Sequence, residues 1–110
     1  RAIDVHAHLS TKDNTYERRF GKEAGIMLQK YYRVRERIRT EKEMAQEFID
    51  LDIKALIIGW DAETNTGYPT PGVNEHAAQM VKDYPDAFLG AWAMIDPWKG
   101  KAAIKELGKC

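Results

Sequence analysis

Three times along this chain an apolar run with strand character gives way to residues with a helical period. Such alternation admits few architectures other than a parallel sheet covered by helices. The apolar runs are residues 3–9, 53–59 and 88–95. The second, from Ile53 to Gly59, is nearly unbroken, as expected of a strand covered on both faces. Thr40-Glu41-Lys42-Glu43 reads as a capping box, and Met44, Phe48 and Leu51 then form the buried stripe of a helix. Val73, Ala77, Met80, Val81 and Tyr84 recur at helical spacings before Pro85. Residues 99–107 predict a last helix with Ala103, Ile104 and Leu107 inward and Gly108 as its cap.

The first run, Ile3-Asp4-Val5-His6-Ala7-His8-Leu9, carries the chemistry. Alternation along a strand puts Asp4, His6 and His8 on one face and small apolar Ile3, Val5 and Ala7 on the other, suited to packing under helices. Residues two apart on a strand have Cβ atoms about 6–7 Å apart. Both imidazoles can therefore reach one metal ion at about 2.0–2.1 Å. The other reading is a pair of structural histidines on a half-polar strand. Asp4 is either a partner that orients an imidazole or a polar residue satisfied by its neighbours.

Residues 10–39 are longer than a connection without its own structure usually is. Met27, Tyr31, Val34 and Ile38 predict a short helix or two inside this insertion. In parallel sheets the working residues collect at the carboxyl ends of the strands. Here those ends are His8, Trp60-Asp61 and Asp96, all opening beneath the insertion. Asp61 and Glu63 either contact a substrate or stabilise a turn, and Trp60 and Trp92 either line a pocket or pack in the core. Trp98 is expected to make a loop-to-helix packing contact, and His76 reads as a solvated or cap-region histidine.

A length of 110 residues holds one domain or less. Seventeen basic and seventeen acidic side chains cancel, so no net field favours nucleic acid or an anionic membrane. The basic run from Arg33 to Arg39 contains Glu36 and is followed by Glu41, Glu43 and Glu47, the pattern of a charge-laced surface. An arginine of the insertion, among Arg18, Arg19, Arg33 and Arg35, is a candidate to grip a substrate carboxylate as a fork, with no motif to single one out. The single Cys110 excludes an intrachain disulfide, and no apolar run approaches the roughly 18–20 residues of a membrane span. The expected location is cytoplasmic. The first residue is Arg1 rather than Met, so a processed or trimmed start is expected.

Residues 3–9, the stretch Trp60-Asp61-Ala62-Glu63-Thr64 and the pair Asp96-Pro97 together resemble the amino-terminal part of the amidohydrolase superfamily. The branch is amidohydrolase family 2, which includes aminocarboxymuconate-semialdehyde decarboxylase and related metal-dependent hydrolases. The resemblance implies an α/β fold, a partial (β/α)8 TIM barrel in which residues 1–110 are the first three strand-helix units with a long insertion after strand 1. A whole barrel needs roughly 250 residues. It further implies a divalent metal, zinc or sometimes manganese, with His6 and His8 as ligands and Trp60 and Asp61 as substrate-binding residues. The catalytic residues and remaining ligands, a His from each of the fifth and sixth strands and an Asp from the eighth, are expected downstream.

In the family's chemistry the metal lowers the pKa of a bound water to near 7 or polarises a carbonyl. Hydrolysis of a small carbonyl or carboxylate substrate is thus the expected function, with nonoxidative decarboxylation as the alternative on the same scaffold. Two imidazoles leave most of the coordination sphere open, so the 110 residues alone are not expected to be an efficient catalyst. A reading of another class is a non-catalytic remnant, an assembly module whose exposed third strand pairs with a partner or a second copy. The expected partner is a small-molecule substrate, with no nucleic acid or membrane, and a homo-oligomer is compatible with the open sheet.

Overall fold

The three apolar runs form one parallel sheet in the computed structural model, which describes residues 1–110. Strands β1 (Ala2–His8), β2 (Ile53–Ile58) and β3 (Phe88–Trp92) lie side by side in the order β1-β2-β3. Six helices accompany them: α1 (Tyr16–Phe20), α2 (Lys22–Tyr32), α3 (Glu41–Asp50), α4 (Glu63–Thr66), α5 (Val73–Asp83) and α6 (Lys101–Leu107). Short 3-10 turns occupy Lys12–Asn14 and Pro97–Lys99. No helix is long and apolar enough to cross a membrane.

Local chemistry starts α3 where expected: Thr40 Oγ1 accepts from the Glu43 amide at 3.2 Å, and the Glu43 carboxylate accepts from the Thr40 amide at 2.8 Å. Met44 and Ala45 of α3 and Ala77 and Met80 of α5 then bury against Ala7, Ala55, Ile57 and Phe88 of the sheet. Both helices therefore cover the same face, and the opposite face carries little. Trp92, expected in a pocket or core, is half exposed, and Trp98 makes no packing contact of the expected kind, being 78% exposed.

The strict alternation expected of residues 3–9 is broken. Asp4 pairs with Ala55 and Ala7 with Ile57, so Val5 and His6 together stand opposite Leu56. That two-against-one count is a β-bulge, which resets which side chains share a face. Asp4 and Ala7 consequently fall on the face of the fully buried Ala55 and Ile57, whereas Ile3 and Val5, expected beneath helices, are each 61% exposed. Asp4 thus leaves the face assigned to it.

Other boundaries also shift. The insertion holds two short helices as expected, α1 and α2, but α2 begins at Lys22, ahead of the Met27–Ile38 spacing, and stops where Arg33 enters the left-handed region at φ 54°. Residues beyond it run as an extended strap whose Thr11–Arg39 bridge ties back to the end of β1. The connection between β2 and α5 contains α4, and β3 ends at Trp92 instead of 95. The last helix is divided at Gly100, whose φ of 56° suits glycine, and only Ala103 of its expected inward residues is buried.

Candidate functional site

His6 and His8 converge at the carboxyl end of β1 despite the bulge. Their Nε2 atoms lie 3.1 Å apart, and the rings meet edge to face with centroids 4.8 Å apart. Two ligands each about 2.0–2.1 Å from one ion, at angles between square and tetrahedral, are about 2.8–3.4 Å apart. The observed separation falls inside that window, and it also fits an N–H···N hydrogen bond between neutral rings. No third His, Cys, Asp or Glu gathers with them into a group of metal-ligating size. The spacing of the two imidazoles fits the ion that the resemblance implies, with no further ligand beside them.

Burial, first, and then the neighbouring His6 and Arg19 hold the His8 pKa below the ordinary 6.5, against a smaller upward pull from Asp4. A neutral ring is the ligating form. Because the folded pKa is lowered, this ring favours the folded state above the unfolded value of 6.5, and that contribution is lost as pH falls through the folded pKa. We expect imidazole NMR to show His8 titrating below 6.5, and His6→Ala to move it back up in part; titration at or above 6.5 would contradict the assignment.

Above His8 the insertion encloses a cleft of about 840 Å³. Its floor is His8 and Trp60, with ring centroids 5.6 Å apart, and Phe20 of α1 stands edge-on to Trp60 at 5.2 Å. Its wall is basic: Arg19, Arg35, Arg37 and Arg39 all line it. Arg19 is 5% exposed and donates from Nη2 to the Leu9 carbonyl, one residue beyond His8. Glu36 fixes the strap by accepting from the Tyr16 amide with both oxygens, at 2.8 and 2.9 Å. Four buried polar atoms of lining residues have no partner: His8 Nδ1, Arg19 Nε, Arg39 Nε and Trp60 Nε1. The guanidinium and indole atoms among them are donors only.

The structure separates Asp61 from Trp60. Asp61 accepts from Lys99 Nζ at 2.6 Å and Thr70 Oγ1 at 3.2 Å on one oxygen and from the Asp96 amide at 3.1 Å on the other. Buried Asp96 in turn accepts from the Thr64 hydroxyl and amide at 2.6 and 3.0 Å, and these bonds hold its carboxyl below the usual range. Asp61 and Asp96 thus tie the loops after β2 and β3 together, and neither lines the cleft. His76 is also outside it, 3.3 Å from both Asn14 Nδ2 and a Glu41 oxygen.

Among the insertion arginines named from sequence, Arg19 and Arg35 reach the cleft, while Arg18 pairs with Asp13 and Arg33 caps α2. Arg37 and Arg39 escaped sequence reasoning. They sit in the same basic run, and both pair with Glu47 of α3, a contact that only the folded strap creates. Comparison with family models, with curated proteins and with solved structures finds no match to this chain.

Proposed function

We propose that this chain builds the floor and lid of a divalent-metal site in a metal-dependent hydrolase acting on a small carboxylate-bearing substrate. The observation that carries the reading is the 3.1 Å approach of His6 and His8 Nε2, with His8 on the floor of an arginine-lined cleft. Its fold is a (β/α)8 barrel of which β1 to β3 are the first three strands, a reading supported by their sequential order and by helices on one face only. When bound, zinc or manganese supplies Lewis acidity that polarises a substrate oxygen. The chain's own residues do the rest of what is assigned here. His6 and His8 hold the ion, Arg19 and its neighbours orient the carboxylate, and Trp60 with Phe20 lines the reacting end and excludes water.

The same arginines favour a second reading, nonoxidative decarboxylation, because a carboxylate held beside the metal can be the reacting group itself. Titration of the protein with zinc, followed by equilibrium dialysis, tests the site common to both. One equivalent should bind, and the paired substitution His6→Ala and His8→Ala should abolish it. Unchanged zinc binding in that variant would remove the metal-site reading.

A further inference from the structure

We propose that Trp92 and Asp4 are positioning residues for His6, acting as a clamp on the single peptide unit between Val5 and His6. The inference rests on the metal-site reading above. Trp92 Nε1 donates to the Val5 carbonyl at 3.0 Å, and the His6 amide donates to Asp4 Oδ1 at 2.9 Å. Carbonyl and amide belong to the same peptide plane, so side chains from two strands hold both of its polar ends.

That plane lies within the bulge of β1, where two residues face one and the ladder is disrupted. Its tilt sets the direction of the His6 Cα–Cβ bond, hence whether the ring meets His8. Trp92 is in register with Ile58, and Ile58 with His8, so the indole crosses from β3 over β2 to reach the β1 bulge. The half-exposed Trp92, which no core packing explains, thereby acquires a role, and so does Asp4, whose carboxylate touches the backbone of His6 and not its ring.

The test is a titration of the full chain with cobalt(II), read by its visible absorption, in parallel with imidazole nitrogen NMR of the metal-free protein. Losing a group that orients a metal ligand typically weakens metal affinity about 10–100-fold. Trp92→Phe and Asp4→Ala are each expected to fall in that range and to separate the two histidine rings in the metal-free spectrum. Asp4→Asn, which keeps an acceptor for the His6 amide but loses the charge, should stay near the parent. Trp92→Tyr, which restores a donor on a ring, should recover part of the loss. The combined Trp92→Phe and Asp4→Ala variant should lose less than the two losses together, because both act on one peptide.

Trp92→Phe affinity within about twofold of the parent, with unchanged ring spectra, would overturn the clamp. So would equal losses for Asp4→Asn and Asp4→Ala, since charge rather than geometry would then be responsible. If Trp92→Phe does not fold, the Asp4 pair decides the question. A parent that binds no cobalt overturns the metal reading and the clamp together, whereas a parent that binds, with loss in the His6→Ala and His8→Ala variant, leaves only the clamp at issue.

Discussion

Arg19→Ala is expected to lower stability by about 1–3 kcal/mol and to weaken binding of a small carboxylate in the cleft by roughly 10–100-fold. The guanidinium is almost wholly buried and donates to the Leu9 carbonyl, so its removal strands that carbonyl and leaves a void between α1 and the end of β1. Its Nε has no partner and its side chain lines the cleft, which makes it the arginine whose charge water screens least. Arg19→Lys keeps the charge and loses the fork, so it should recover stability further than binding. Urea denaturation and calorimetric titration with benzoate separate the two effects. Equal benzoate affinity in parent and Arg19→Ala would show that the carboxylate is gripped elsewhere.

The sheet was legible in the sequence because each strand is an apolar run bounded by polar or breaking residues, and the α3 cap because Thr40 and Glu43 specify it within four residues. Convergence of His6 and His8 was legible as well, although through a different geometry. Period-2 alternation predicts it for a regular strand, whereas the fold reaches it through a bulge at Val5–His6. A bulge depends on the partner strand and on contacts as distant as Trp92, so no local pattern announces it.

The insertion was the least legible segment for a related reason. Met27, Tyr31 and Val34 show helical spacing as a core stripe would, yet they are exposed, and all three line the cleft. Spacing reports that residues share a face and says nothing of what the face meets. Asp61 illustrates the same limit among polar residues. A carboxylate at a strand end suits substrate or structure equally, and its partner here, Lys99, lies 38 positions away.

Phe88→Ala should destabilise the fold by about 3–5 kcal/mol, the usual cost of emptying a buried phenylalanine site. Phe88 is 1% exposed and sits edge-on to Phe48 of α3 at 5.7 Å and to Tyr84 at 6.5 Å, so its ring joins α3 to the chain just after α5. In register it stands beside Ala55, whose other neighbour is Asp4 at the foot of the bulge. A loss of this size is a large share of the 5–15 kcal/mol that holds a typical domain together. Because the cavity lies on the helix side of the sheet and the histidines meet at the carboxyl end of β1, the folded variant should still bind zinc with the parent's affinity. Urea melts with and without zinc measure both quantities. A parent-like midpoint would mean that α3 and α5 close over the void, and a drop in zinc affinity at full folding would mean that the core reaches the proposed metal site through β2.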